Sequence, residues 1–586
     1  MVQQNENIIL KGVAASSGIV IGKVFLLEND DFVPIDDIKL SEDERDLELK
    51  RFEGAIIKTR EAIKMSYKKI NEALGENYAK IADAHLLMLE DPVMRKAIVD
   101  MIKSGIKAEY AVYKTTDDTV RAFEAVEDEY FKERIYDIKD VSKEIIFNLL
   151  GKKGVSLENI PKDYIIVAHN LTPADTISIK EKFIQGFATD MGGKTSHVAI
   201  VANTLEIPAV VGLKSISSTI KMDDTIILDG NKGLVILNPD KKTIENYKKE
   251  ISIWLSSKKE LEKLRNLPAQ TIDNHIVEIF GNIDSPEEVN SILDNSATGI
   301  GLYRTEFLYF NRASIPTEQD HYEAYLKVVK SMGDFPTTIR TIDLGGDKIS
   351  AYIGTKWIGQ EKNPFMGLRA IRLCLKYQDI FISQLRGILR ASAYGKINLL
   401  YPMISGIDEL REANKILEKV KSDLRKEKIP FDENIKTGVM IEIPSAAMIA
   451  DILAQEVDFF SIGTNDLIQY SLAVDRVNEN VANLYDPFHP AILRFLKIII
   501  DGGHKAGIKV AMCGEMAGDP AYTSVLLGLG LDEFSVSASQ ILKVKKVIRN
   551  VKMDDMKKIA EDVLNCKYRD EISQIIKKIQ FIEREN

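Results

Sequence analysis

The period of the hydrophobic pattern changes several times along this chain, and each change marks a boundary between elements. Residues 8–27 (IILKGVAASSGIVIGKVFLL) are short β-branched runs around a Gly/Ser turn, which predicts small strands. Between about Ser41 and Leu150 the pattern turns helical. Pro92 is the only proline there, charges are dense, and residues such as Ile81, His85, Met88 and Leu89 fall at helical spacing. This stretch predicts several packed helices inserted between two halves of another domain. Strand signals return at 164–167 (YIIV), 208–212 (PAVVG) and 225–230 (TIILDG). Residues 241–267 contain neither Gly nor Pro, and Ile244, Tyr247, Ile251, Trp254 and Leu255 form one apolar stripe. That predicts a long connecting helix, ended by Leu267-Pro268.

Beyond this helix one theme repeats, a short β-rich run followed by a helical stretch. Eight such runs can be placed, at 277–283, 299–305, 337–344, 397–403, 437–443, 459–463, 509–513 and 533–536. Eight β/α units predict a TIM barrel, with an open doubly wound sheet as the competing arrangement. The expected fold class is multidomain α/β. Segments 1–34 and 151–240 form one α/β domain, 35–150 a helical bundle inserted into it, 241–267 a linker helix, and 268–586 a C-terminal (β/α)8 barrel.

Composition narrows the function. At 586 residues the chain is too long for one core. Hydrophobic residues at 45% and charged residues at 28% fit an ordinary soluble globular protein. A net charge of -10 argues against general nucleic-acid binding, yet it allows a local anion pocket or a basic partner docked by complementary charge. Cys374, Cys513 and Cys566 are too few and too dispersed for a disulfide framework or a CxxC metal site, which favours a reducing cytoplasm. The opening residues lack the charged and apolar regions of a leader, and no run reaches ~18 apolar residues. Neither export nor membrane insertion is expected.

Two places carry candidate chemistry. In Gly192-Gly193-Lys194-Thr195-Ser196-His197, the glycines allow a close backbone turn, and Thr195 or Ser196 can cap a helix continued by Val198, Ala199, Ile200 and Val201. His197 then stands on the first turn, where free N–H groups and the dipole favour an anion such as phosphate. A core or capping histidine is the alternative. The second place is the set of polar strand ends: Tyr303-Arg304-Thr305-Glu306, Arg340-Thr341-Ile342-Asp343, Glu442, Asn465-Asp466 and Cys513-Gly514-Glu515. In a barrel these share one mouth. Arg304, Arg340, Arg369 and Arg476 suit a compact, multiply charged anion, and Glu442 with Asp466 are hard oxygen ligands suited to Mg2+. Structural ion pairs at the rim are the competing reading. Cys513 is either a buried small apolar residue or a proton-transfer thiol.

Together these motifs resemble the Enzyme I family of the bacterial sugar phosphotransferase system. The resemblance runs nearly end to end, through GVAASSGIVIGKV, ADAHLLMLEDPVM, GGKTSHVAIVANTLEIPAVVG, GIGLYRTEFLY, RTIDLGGDK, NPFMGLRAIR, DFFSIGTNDLIQYSLAVDR, MCGEMAGD and LGLGLDEFS. GGKTSH alone is shared with pyruvate phosphate dikinase and phosphoenolpyruvate synthase, but those carry a large ATP-binding domain for which this chain has no room. The resemblance implies a swivelling phosphohistidine domain, an inserted helical subdomain that docks the phosphocarrier protein HPr, and a barrel that binds phosphoenolpyruvate and forms a homodimer. It implies phosphoryl transfer from phosphoenolpyruvate to Nε2 of His197 and on to HPr, with pyruvate as product. By matching motif, Thr176 orients the imidazole; Arg304, Arg340, Lys348, Arg369, Asn465, Asp466 and Arg476 surround phosphoenolpyruvate; Glu442 and Asp466 ligate Mg2+; and Cys513 protonates the enolate. Val198, Asn203 and Lys194 depart from the family pattern, which has a small residue and two arginines there. Other readings are a nitrogen-type regulatory paralogue, or another phosphoenolpyruvate-utilising barrel enzyme.

Overall fold

The computed structural model describes residues 7–27, 40–74, 85–124, 129–151, 160–161, 164–193, 196–309, 314–345, 363–476, 478 and 480–585. The chain divides into two compact units, Met1–Ser256 and Ser257–Asn586.

In the first unit eight strands form one sheet: β1 (Ile8–Lys11), β2 (Val13–Ser16), β3 (Ile19–Leu27), β4 (Tyr164–Ala168), β5 (Gly186–Thr189), β6 (Ala209–Val211), β7 (Thr225–Asp229) and β8 (Leu234–Leu237). Their order is β1-β8-β7-β3-β4-β5-β6-β2, with β3 to β6 parallel and antiparallel strands flanking them. The pairing of β3 with β4, from Lys23↔Tyr164 to Leu27↔Ala168, joins stretches that lie on either side of the helical insertion. Alternation along β4 explains why both faces are covered. Ile166 and Ala168 pack into one core with Phe187 and Val211, while Ile165 and Val167 pack into another with Ala188 and Val210.

The insertion holds helices Glu42–Leu74, Pro92–Lys103, Ala108–Glu124 and Glu129–Leu150. They bury a core of their own around Phe52, Ile56, Ile102, Val112 and Ile145. The lone proline of this stretch starts a helix: Asp91 accepts from the N–H groups of Val93 and Met94 at 2.8 and 2.9 Å, and Pro92 occupies the first turn, where it removes no helical hydrogen bond.

The connecting helix runs Lys241–Lys263. Its apolar stripe is shorter than its sequence suggests. Ile244, Tyr247 and Ile251 pack on Ile19, Ile227 and Ile236, whereas Leu255 is exposed.

Each of the eight runs expected in the second unit matches a strand, that at 437–443 beginning one residue early: β9 (Glu278–Ile283), β10 (Ile300–Tyr303), β11 (Thr337–Arg340), β12 (Ile397–Tyr401), β13 (Lys436–Ile441), β14 (Phe459–Ile462), β15 (Lys509–Met512) and β16 (Glu533–Val536). All neighbours are parallel, and β16 pairs with β9 from Glu533↔Glu278 to Val536↔Gly281, so the sheet closes. Closure rules out the open doubly wound sheet. No helix among the described residues is long and apolar enough to cross a membrane.

Candidate active site

Closure with every strand parallel puts all eight C-terminal strand ends on one rim. Arg304 follows β10, Arg340 ends β11, Glu442 follows β13, and Cys513 follows β15. Asn465 and Asp466 open the helix Thr464–Leu472 after β14, and Arg369 precedes the helix Ala370–Lys376. These residues and Arg476 line one cavity of about 490 Å³. Lys348 lies outside the described residues.

The arginines are held by carboxylates. Arg340 meets Glu306 at 3.1 Å and Asp343 at 3.0 Å, and Arg369 meets Asp343 at 2.8 Å. Arg304 pairs with Asp284 at 3.0 Å and Arg476 with Glu515 at 3.5 Å. Asp343 therefore aims two arginines at once. Burial alone would raise its carboxyl, but Arg340 and Arg369 hold it below the usual range. Asn465 and Glu515 also brace each other, the Glu515 N–H donating to Asn465 Oδ1 at 3.0 Å.

Six carboxylates and four guanidinia line the described mouth, a surplus of negative charge in a place shaped for an anion. Asp343, Glu442 and Asp466 bring carboxylate oxygens within 4.8 Å of one another, close enough to share a cation. They are not equally free. Both Asp343 oxygens accept from arginine, whereas Glu442 has one oxygen on the Met403 N–H at 2.6 Å and Asp466, among the described residues, meets Arg369 at 4.0 Å. Burial first, then the neighbouring carboxylates, raises Glu442 well above a normal acid, and burial raises Asp466. A divalent cation fits this donor set, because it would relieve the crowding and restore a field that admits an anion.

Cys513 is 3% exposed and packs on Leu302, Leu400 and Met440 in the barrel interior. Burial pushes its thiol up, so it stays protonated at neutral pH, with the Ser461 hydroxyl and Arg340 opposing that shift. Its burial among aliphatic side chains fits the reading as a small core residue, and its place at the end of β15 leaves the thiol beside the polar rim.

The other expected residues belong to the first unit. His197 begins the helix His197–Thr204, and Ser196 rather than Thr195 is the described cap, accepting from the Ala199 N–H at 3.3 Å. Gly192 has φ of 109°, so the first glycine of the motif is required by the backbone. Thr176 is fully buried on the helix Pro173–Glu181, and its hydroxyl donates to the Thr172 carbonyl at 3.1 Å. Its oxygen keeps acceptor capacity for a ring N–H. Val198 is a core residue and Asn203 is exposed; Lys194 lies outside the described residues.

Apart from Thr176, the sequence assigns no residue a supporting role, and three such residues are visible in the structure. Asp343 stood in RTID beside Arg340 and could have been taken from the same strand end. Gln384 had no such signal: it is fully buried, accepts from the Ile342 N–H at 2.9 Å, and donates to Thr305 Oγ1 at 3.0 Å, which in turn donates to the Arg340 carbonyl at 3.0 Å. Ser461 donates to Cys513 Sγ at 3.2 Å across two strands.

Known proteins resemble this chain along nearly its whole length. Family models described as PEP-utilising enzyme match in three consecutive parts, the N-terminal part at residues 11–134, the mobile domain at 160–233 and the PEP-binding domain at 258–553. A phosphoenolpyruvate-protein phosphotransferase of Priestia megaterium is 44% identical over 97% of this chain and 98% of its own length. One from Staphylococcus aureus is 45% identical over 97% of this chain and 99% of its own. A solution structure described as Enzyme I (nEIt) is 43% identical and covers 42% of this chain and 99% of its own, with a TM-score of 0.35.

Proposed function

The chain belongs to the phosphoenolpyruvate-protein phosphotransferase family, and on that premise we propose that it moves a phosphoryl group from phosphoenolpyruvate to its own His197 and then to a histidine of HPr. The observation that carries the division of roles is the barrel mouth, where four anchored arginines, two under-neutralised carboxylates and a protonated thiol line one cavity.

Arg304, Arg340, Arg369 and Arg476, with Asn465 and Lys348, hold the phosphate and carboxylate of phosphoenolpyruvate, and Asp343 and Glu306 fix the angles of two of the guanidinia. Glu442 and Asp466 would hold Mg2+, which supplies positive charge against the phosphate oxygens. Nε2 of His197 attacks phosphorus, a step that requires the neutral ring; the N–P bond forms as the bond from phosphorus to the enol oxygen breaks. Thr176, its own hydrogen already on Thr172, accepts from the other ring nitrogen and leaves Nε2 as the nucleophile. Cys513 then gives its proton to the methylene carbon of the enolate, which becomes pyruvate. That last step draws the transfer forward.

The helical insertion 35–150 is the surface we assign to HPr, and the helix Lys241–Lys263 is the lever on which the histidine domain travels. A homodimer through the barrel and a cytoplasmic location complete the reading. Labelled phosphoenolpyruvate tests it. The native chain should take up one acid-labile, base-stable label and pass it to HPr, whereas His197→Gln should take up none. Undiminished labelling of that variant, or a labelled enzyme that never transfers to HPr, would refute it.

A further inference from the structure

Cys513 is gripped from three sides, and one grip is on the sulfur itself. Its N–H donates to the Ile462 carbonyl at 3.1 Å, and Asn282 Nδ2 donates to its carbonyl at 3.1 Å. Ser461, the neighbour of Ile462 on β14, places its hydroxyl 3.2 Å from Sγ. Ser461 is 1% exposed, so water does not compete for that bond. Leu302, Leu400 and Met440 supply the apolar packing around the thiol. The sulfur's other hydrogen bond among the described residues, to the Ile462 carbonyl, is long at 3.8 Å and holds the thiol hydrogen weakly.

We propose that Ser461 is a positioning residue for the protonation of enolpyruvate, holding the Cys513 sulfur by its lone pair and stabilising the thiolate left when the proton departs. The inference rests on the reading of Cys513 as the acid. In the step concerned the S–H bond breaks, a C–H bond forms at the methylene carbon, and the enolate oxygen becomes the ketone of pyruvate. The electron pair stays on sulfur, where the Ser461 O–H is already aimed, and a proton from water later restores the thiol. A hydroxyl on the acceptor side of sulfur leaves the S–H free to turn toward the mouth. An apolar side chain at 461 would remove the hydroxyl described on the sulfur and leave the nascent thiolate's charge to Arg340 and Arg304.

The full-length chain tests this with three variants. Ser461→Ala should lower kcat for pyruvate formation about tenfold, the usual order for losing one hydrogen bond to a charged group. It should slow deuterium exchange into the pyruvate methyl group equally, with KM for phosphoenolpyruvate within about twofold of native. Ser461→Thr, which keeps the hydroxyl, should restore both rates. Phosphoryl exchange between His197 and HPr should be native in each. Native kcat and exchange in Ser461→Ala would overturn the proposal, as would a Thr variant no better than Ala, or a loss appearing in KM instead of kcat. Cys513→Ala is the control: native turnover there would overturn the acid role of the thiol, a failure distinct from that of Ser461.

Discussion

Asp343 shows how one side chain can serve a site it does not chemically enter. Its two oxygens hold Arg340 and Arg369, and the same carboxylate stands within cation-sharing distance of Glu442 and Asp466. Asp343→Asn keeps the shape and removes the charge. It should release both guanidinia from their fixed angles and take negative charge from the cation site. We expect kcat/KM for phosphoenolpyruvate to fall at least 100-fold, in line with losing preorganised charge, and the Mg2+ requirement to rise about 10–100-fold. Exchange of phosphate between His197 and HPr should not change. A Mg2+ titration of both reactions checks it; an unchanged Mg2+ requirement would confine Asp343 to aiming the arginines.

At the scale of elements, the loops after β14 and β15 are built to touch. A methyl group on Gly514 would collide with the Thr464 hydroxyl and come within 2.7 Å of the Thr464 backbone nitrogen. One connection leads into the helix start that carries Asn465 and Asp466, the other holds Cys513 and leads to Glu515, so this contact sets the distance between the two proposed groups, metal-holding and acid. Gly514→Ala should force the loops apart, cost about 1–3 kcal/mol of barrel stability, and weaken phosphoenolpyruvate binding more than tenfold. Calorimetric melting and binding isotherms read both effects; native affinity would mean that the loops yield freely.

The opposite end of the barrel offers a pH test. Glu533 begins β16 beside Glu278, whose two oxygens both take the Lys509 ammonium at 2.9 Å. Burial first, and the Glu278 charge second, lift the Glu533 carboxyl to about 8. A carboxyl raised on folding binds more protons folded than unfolded, so its contribution is intact at low pH and lost as pH climbs through 8. Glu533→Gln should melt like the native chain near pH 5 and become more stable by about 2 kcal/mol above pH 8, allowing for partial solvent screening. Parallel pH dependences for the two proteins would show that Glu533 is already ionised at neutral pH.

At the scale of the whole molecule, the proposed chemistry divides between units with separate cores. His197 and Thr176 belong to Met1–Ser256, while the arginines, the carboxylate cluster and Cys513 belong to Ser257–Asn586. A fragment ending at Ser256 holds the complete sheet and the helical insertion. It should accept phosphate backwards from phosphorylated HPr at near-native rate, and take none from phosphoenolpyruvate. Label from phosphoenolpyruvate on the fragment would remove the barrel as the donor site.

Much of this was legible in the sequence, for a reason specific to each feature. Eight barrel strands could be read because both ends of each unit carry local signals, a β-branched run and then a helical period. The rim residues could be read because parallel closure puts every strand end on one side, so Arg304, Arg340, Glu442 and Cys513 needed only their positions in those runs. The closure itself, against an open sheet, was decided by the pairing of β16 with β9, which no local pattern encodes. The apolar stripe of the connecting helix was overread at Leu255, since periodicity reports which residues share a face and not whether anything covers it. What only the tertiary structure decided was which charges meet. Asp343 divides itself between two arginines, Gln384 fixes the strand end behind them, and Ser461 reaches a sulfur 52 residues away. Hydrogen bonds between strands distant in sequence leave no period to read, because their geometry exists only once the barrel has closed.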